Sequence, residues 1–140
     1  MDGLDSFKRK FRLDELCIYE NEYWTWSLRP MQPTLGAGVL SLKRYAESFS
    51  HITEEEGKNL VAIVKLIEER LKQAFDYDKI NYLMLMMVDP HLHFHIIPRY
   101  SEVMEFEGIS LPDKAWPGPP SLEADELSDD VLFAIQGKLK

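Results

Sequence analysis

The sequence is short of cysteine, of long apolar runs and of positive charge, and each shortage excludes a class of protein. The one cysteine, Cys17, cannot form an internal disulfide, and we expect its thiol to be buried between Leu16 and Ile18. No run approaches the ~20 apolar residues that cross a bilayer, so we expect no membrane partner. Basic residues number 16 against 24 acidic ones, and the net charge of −8 disfavours nucleic acid polymers and anionic membranes as partners.

The remaining composition is that of a folded domain. Of the 140 residues, 45% are hydrophobic and 29% charged, which excludes a disordered chain. Because domains average roughly 150 residues, we predict one domain over residues 1–140, with a core at 15–100 and a C-terminal extension at 101–140. The first residues show no basic segment followed by an apolar one, so we expect no secretory signal and a cytoplasmic location.

Three helices are predicted from spacing and end signals. Leu4, Phe7 and Phe11 recur as one face of a short N-terminal helix that caps the fold. Thr53 and Glu56 form the sequence signature of a capping box, at which a long helix begins. Its apolar stripe can cover one sheet face and consists of Leu60, Ile63, Val64, Ile67, Leu71 and Phe75. A short last helix is predicted after an N-cap at Ser128.

Five strands are predicted from apolar, aromatic and β-branched runs. The runs are bounded by turn residues and cover 16–19, 23–28, 39–42, 80–88 and 91–97. After Tyr100 the pattern weakens, and the Pro-rich segment 116–120 predicts a loop.

Three of the four histidines alternate with apolar residues in the segment 91–97. Successive side chains of a strand point to opposite faces, so Leu92 and Phe94 are predicted to enter the core while the imidazoles share the other face. Because the pKa of histidine is about 6.5, one ring can attack phosphorus while a neighbour protonates the leaving group. The histidine row therefore favours nucleophilic catalysis.

A metal site and a row of surface histidines are the competing interpretations. Zinc needs its ligands near 2.0 Å, whereas His91 and His95 are predicted to lie ~13 Å apart along the strand, so we expect no metal. In the other interpretation the solvent face of a strand happens to be rich in histidine. His51, alone before the long helix, is predicted to be structural.

The run His91-Leu92-His93-Phe94-His95-Ile96-Ile97-Pro98-Arg99 resembles the His-φ-His-φ-His-φ-φ signature of the histidine triad (HIT) family. The order of elements over residues 15–100 is also similar to the HIT core. The resemblance implies an α+β, HIT-like fold, in which a five-stranded antiparallel sheet carries one long helix, here with a C-terminal extension that ends in a short helix. It also implies a homodimer with a ten-stranded sheet.

The resemblance further implies a nucleotide phosphohydrolase or nucleotidyl transferase that needs no cofactor. His93 would attack the α-phosphate of a nucleotide and form a covalent nucleotidyl-histidine intermediate. His95 would donate to the phosphate or the leaving group, and His91 would orient His93. The alternative is a noncatalytic nucleotide-binding or regulatory protein that retains the triad strand.

Three departures from the family pattern concern substrate contacts. Family members often carry a Gly-rich loop with Gln, Ser or Thr before the triad, whereas this chain reaches the triad directly through residues 86–90. Gly38 stands where a fourth family histidine often precedes a Val-Leu pair, and the residue that commonly grips ribose falls near Pro30. We therefore expect replacement contacts, and the substrate-binding candidates are Arg29, Gln32, Lys43 and Arg99.

Overall fold

The structure, a computed structural model, describes residues 3–140. As predicted, these residues form a five-stranded antiparallel sheet, with strands β1 (Cys17–Glu20), β2 (Trp24–Leu28), β3 (Gly38–Leu42), β4 (Lys79–Leu83) and β5 (His93–Arg99). The strand order β1-β2-β3-β5-β4 places β5 inside the sheet and β4 at an edge. The helices of the described residues are α1 (Gly3–Lys10), α2 (Glu54–Phe75) and α3 (Asp129–Leu139). None of these helices is long and apolar enough to cross a membrane.

The long helix α2 begins at the predicted capping box. The Thr53 hydroxyl accepts a hydrogen bond from the Glu56 amide at 3.1 Å, and the Glu56 carboxylate accepts one from the Thr53 amide at 2.8 Å. Glu56 is buried and also binds the Arg44 guanidinium at 2.6 Å, which holds its pKa below its ordinary value. The predicted apolar stripe packs into the main core, including the fully buried Ile67 and Leu71.

The C-terminal helix α3 shares that core with the sheet. It begins at the predicted N-cap Ser128, and Leu132 and Ile135 lie in the same hydrophobic cluster as the residues of β2 and β3. The Gln136 amide donates to two backbone carbonyls at the β1 edge, including that of Cys17 at 2.6 Å. Cys17 itself is half-buried, so the predicted burial of its thiol is only partial, and this burial raises the pKa of the thiol.

The boundaries of β4 and β5 differ most from the predictions, whereas those of β1, β2 and β3 differ by at most one residue. Strand β4 ends at Leu83 instead of residue 88, and β5 begins at His93 instead of residue 91, so residues 84–92 form a connecting loop. The apolar run that suggested a longer strand stands largely in solvent, with Met87 82% and Val88 84% exposed. Seven residues of that loop, 84–90, therefore precede the triad, and this connection is longer than the passage through residues 86–90 that was predicted.

A two-stranded hairpin lies in the C-terminal extension and was not predicted. It consists of β6 (Met104–Phe106) and β7 (Ile109–Leu111). The two residues between the strands, Glu107 and Gly108, have φ values of 51° and 75°. Such a turn matches the twist of a hairpin. Glutamate is an unusual residue in that conformation, which explains why the pattern did not indicate a turn here.

Arg99 anchors the segment that we call the C-terminal arm, residues 112–128. Its Nε and Nη2 donate to the two carboxylate oxygens of Asp113 at 2.7 and 3.1 Å, and both side chains are at most 5% exposed. Nη2 also donates to the Gly118 carbonyl, and Nη1 donates to the Asn81 side chain at 2.8 Å. The arm is thus bound to the sheet through one buried, bidentate ion pair.

Replacing Asp113 with alanine is expected to lower the free energy of unfolding by about 3–5 kcal/mol, because Arg99 keeps its buried charge without a carboxylate partner. Urea denaturation of the Asp113→Ala protein measures the loss. The matched control is Asp125→Ala, which removes an exposed aspartate of the same arm and should change stability by no more than about 0.5 kcal/mol. Equal stability of the two variants would contradict the anchoring role.

Candidate active site

The three histidines of the triad lie in a buried layer beneath α1. Phe7 places its ring centroid 5.0 Å from that of His91 and 4.7 Å from that of His93, and the Phe11 ring lies 5.9 Å from that of His95. The histidines are only 1%, 1% and 6% exposed. The interpretation as a solvent-facing row of histidines is therefore wrong, since the N-terminal helix covers that face.

His91 precedes β5 and is held by backbone groups. The Ala46 amide donates to its Nδ1 at 3.3 Å, so Nδ1 is the unprotonated nitrogen and Nε2–H donates to the Leu42 carbonyl at 2.8 Å. The Tyr45 ring stacks on the imidazole at a centroid distance of 5.2 Å. Both nitrogens of His91 are thus occupied, which suits a positioning role and not attack on a substrate.

The backbone of His91 fixes the tautomer of His93. Nδ1–H of His93 donates to the His91 carbonyl at 2.5 Å, so Nε2 is left with its lone pair. This Nε2 lies 3.3 Å from Nε2 of His95. Because two lone pairs repel, the proton of His95 belongs on Nε2, and its buried Nδ1 has no hydrogen-bond partner among residues 3–140.

Burial sets the charge of this cluster. Removal from water disfavours the imidazolium and lowers the pKa of His91 and of His93. The same cause, together with the neighbouring His93, lowers the pKa of His95 to about 4. The rings are therefore neutral near neutral pH, and a negative group bound beside them would raise their pKa values.

A cavity of about 520 Å³ opens beside two of the three histidines, His93 and His95. Apolar side chains from the loop 84–92 form much of its wall, and the C-terminal arm contributes a further side through Leu122. Its charged lining residues are Lys10, Arg29, Asp89 and Glu126. The cavity thus offers an apolar surface next to His93 and His95.

Of the four predicted substrate-binding residues, the structure brings Arg29 alone to this cavity. Gln32 uses its amide within the loop 29–37, where it donates to the carbonyls of Arg29 and Ala37. Lys43 pairs with Glu20 at 3.0 Å outside the cavity. Arg99 lies six residues beyond His93, or about 20 Å along the strand, and holds the arm.

Two side chains that the sequence did not single out also lie at the cavity. Lys10 of α1 forms an ion pair with Asp89 of the loop 84–92, with 2.7 Å between Nζ and Oδ2. The pair is separated by 79 residues in the chain, so no spacing could have indicated it. It connects α1 to the loop at the cavity wall.

Gly38 lies on the opposite face of the sheet from the imidazoles. A Cβ at this position would lie 2.9 Å from the Ser27 carbonyl and 2.9 Å from Nε1 of Trp26. The fully buried Trp26 indole therefore occupies the space that a side chain at position 38 would need. This explains the absence of a fourth histidine.

The metal interpretation gains no support from the described part of the chain. In residues 3–140 no group of three or more His, Cys, Asp or Glu side chains is arranged to hold a metal ion.

The sequence matches the HIT domain family over residues 10–102. The chain is also 31% identical over 98 residues to the bis(5'-adenosyl)-triphosphatase of Saccharomyces cerevisiae, an alignment that covers 65% of this chain and 47% of the yeast protein. It thus spans about half the length of the curated relative it matches. On the family match together with the buried histidine row, the protein belongs to the HIT family.

Solved structures show the same fold. A histidine triad protein from Sinorhizobium meliloti superimposes with a TM-score of 0.72 at 20% identity, over 91% of this chain and 90% of that one. A histidine triad protein from Marinobacter aquaeolei gives a TM-score of 0.72 at 21% identity, over 92% and 90% of the two chains. The predicted α+β fold is confirmed by these structures.

The depressed pKa of His95 makes the stability of the fold depend on pH. Between the ordinary value of 6.5 and about 4, the unfolded chain binds a proton at this residue that the folded protein does not. Acidification through that interval should therefore lower the free energy of unfolding by on the order of 2–3 kcal/mol, through the proton that His95 binds on unfolding. We expect the stability advantage of the wild type over His95→Gln to shrink by this amount from neutral pH to pH about 4, as measured by urea denaturation. A constant difference would contradict a buried, neutral His95.

Proposed function

We propose that the protein is a nucleotide hydrolase that forms a covalent nucleotidyl-histidine intermediate on His93. The tautomer of His93 carries this proposal: because Nδ1–H is bound to the His91 carbonyl, the lone pair is on Nε2, 3.3 Å from the Nε2 of His95. His93 also lines the cavity, in which we place the substrate phosphate. The family membership and the yeast relative named bis(5'-adenosyl)-triphosphatase support a hydrolase of nucleotides.

In the proposed first step, Nε2 of His93 attacks the α-phosphorus. A phosphorus–nitrogen bond forms while the bond between phosphorus and the leaving group breaks with its electron pair. The negative phosphate raises the pKa of His95 from its depressed value, so that its ring can donate a proton to the phosphate or the leaving group. Burial thus keeps His95 neutral until an anion arrives.

In the second step, water attacks the same phosphorus. The phosphorus–nitrogen bond breaks, and the water proton passes to His95, which gave up a proton in the first step. The nucleoside monophosphate then leaves with neutral His93 restored. An acceptor other than water would make the same enzyme a nucleotidyl transferase. His91 positions the nucleophile in both steps, because its carbonyl holds the Nδ1–H of His93.

The intermediate is tested by the intact mass of the protein after brief incubation with a panel of nucleotides at mildly acidic pH. The wild type is expected to gain the mass of one nucleotidyl group, and His93→Ala is expected to gain none. Turnover by His93→Ala should fall by about 10⁴-fold or more, because the covalent step is lost.

His51→Ala is the matched control, since His51 is exposed and lies outside the cavity. It should form the adduct as the wild type does. Nucleotide binding by the wild type with neither adduct nor turnover would instead favour the noncatalytic alternative. Turnover that survives in His93→Ala would contradict the assigned nucleophile.

We further propose that the protein is a homodimer that pairs through β4. This strand is at the sheet edge, while the other edge strand, β1, is bound by Gln136 of α3. Exposed apolar side chains follow this strand in the loop 84–92, including Leu85 at 52% and Met87 at 82%. An unpaired edge beside apolar surface favours strand pairing. Sedimentation velocity over a range of concentrations should show a dimer, and a monomer at every concentration would contradict this.

A further inference from the structure

Arg29 lies on the histidine face of the sheet. In the register of β2, β3 and β5, Ser27 is opposite Val39, and Val39 is opposite His95. Side chains directly opposite each other share a face, and Arg29 follows Ser27 by two residues. The Arg29 side chain therefore belongs to the same face as His95, and both residues line the cavity.

The guanidinium of Arg29 is buried and incompletely bound. The residue is 7% exposed, and its Nη1 donates to the carbonyls of Met31 and Leu122, each at 3.2 Å. Its Nε is fully buried with no hydrogen-bond partner among the described residues, and Nη2 forms no hydrogen bond with any of them either. Two nitrogens of one buried cation, Nε and Nη2, thus lack hydrogen-bond partners within residues 3–140, and we call them its open donors.

No carboxylate of the described chain neutralises Arg29. The other basic residue of the cavity, Lys10, is paired with Asp89, whereas Arg29 has no ion pair, although Glu126 also lines the cavity. Burial without a counter-charge lowers the pKa of Arg29. Because a buried, unpaired charge is costly, a bound anion would be strongly favoured at this position.

A second arginine of this protein shows what the open donors of Arg29 can hold. Arg99 uses its Nε and Nη2 to grip the two oxygens of the Asp113 carboxylate. The same two donors are the open ones in Arg29. A guanidinium edge of this kind matches two oxygens of a phosphate as well as those of a carboxylate.

We propose that Arg29 binds the substrate phosphate beside His93 and His95, with Nε and Nη2 donating to two phosphate oxygens. This rests on the proposed function, because the phosphate in question is the one that His93 attacks. Arg29 then supplies the positive charge for the negative oxygens of the transition state. Arg29 would replace the Gln, Ser or Thr donors that family members often carry before the triad. This chain has the exposed apolar residues Met87 and Val88 there. The arm helps to hold Arg29 in place, since Leu122 accepts from Nη1.

The test compares binding of a nucleoside monophosphate with binding of its parent nucleoside. The probe pair is the one that the wild type binds most tightly among AMP, GMP, CMP and UMP and their nucleosides, as measured by calorimetry. In Arg29→Gln the affinity for the monophosphate should fall about 10- to 100-fold, because two hydrogen bonds to a charged group are lost. Affinity for the nucleoside should stay unchanged. A merely structural role of Arg29 would weaken both ligands equally.

Kinetics provide a second readout on the same variants. With a nucleotide that the wild type hydrolyses, kcat of Arg29→Gln should fall about 10²- to 10³-fold, as when one preorganised donor to a transition-state oxyanion is removed. Arg29→Lys should recover part of this loss, because it restores charge without the two-donor edge. The matched control, Arg9→Gln, removes the same charge from an exposed position on α1 and should leave both readouts unchanged.

A measurement on the wild type covers the case in which the variants do not fold. The NMR signal of the Arg29 Nε–H should shift on addition of the monophosphate and stay in place on addition of the nucleoside. The absence of that shift, or equal affinity of the wild type for the two ligands, overturns the proposal, as does an Arg29→Gln protein that keeps both affinity and kcat. If the monophosphate preference depends on Arg29 while no nucleotide is hydrolysed, the phosphate site stands and the proposed hydrolase function fails.

Discussion

Strand β5 is packed on both faces, and the rest of the structure follows from that constraint. Its apolar residues face the main core, and its histidines face α1. Burying an imidazole is costly unless its nitrogens find partners. The carbonyls of Leu42 and His91 accept from His91 and His93, whereas the Nδ1 of His95 is buried without a partner among the described residues. The same hydrogen bonds determine which nitrogen of each ring carries the proton. Packing and protonation state are therefore determined together, before any substrate is bound.

The alternation of residues 91–97 was sufficient to predict both the two faces of β5 and the family. The capping box at Thr53 likewise predicted the start of α2, because both signals are local. Local patterns failed where the same apolar residues fit either a buried strand or an exposed loop. The run 84–88 was predicted to continue β4, but the strand ends at Leu83 and the run forms a loop. Burial of the histidines could not be predicted either, because it depends on α1, some 80 residues earlier in the chain.

The sequence did not distinguish Arg29 from Arg99 as substrate-binding candidates, whereas the fold gives the two side chains different partners. The carboxylate of Asp113 fills the guanidinium edge of Arg99, fourteen residues further along the chain. Arg29 sits on the histidine face without such a partner. Both nevertheless contact the C-terminal arm, one through Gly118 and the other through Leu122. The extension beyond the family match at residues 10–102 is thus connected to the site as well as to the core.

The contact between Trp26 and Gly38 restricts how this protein can change over evolution. A side chain at position 38 meets both the indole and the Ser27 backbone at 2.9 Å, so a histidine cannot be acquired there while the tryptophan remains. Shrinking Trp26 first would open a cavity in the main core, at a cost of about 3–5 kcal/mol. Substitution of either Gly38 or Trp26 alone is unfavourable. Only a paired substitution with a shift of the backbone would convert Trp26 and Gly38 into an arrangement with a histidine at position 38. A chain with Trp26 and Gly38 therefore cannot acquire the fourth histidine through single substitutions that each preserve stability, although both arrangements use the same sheet.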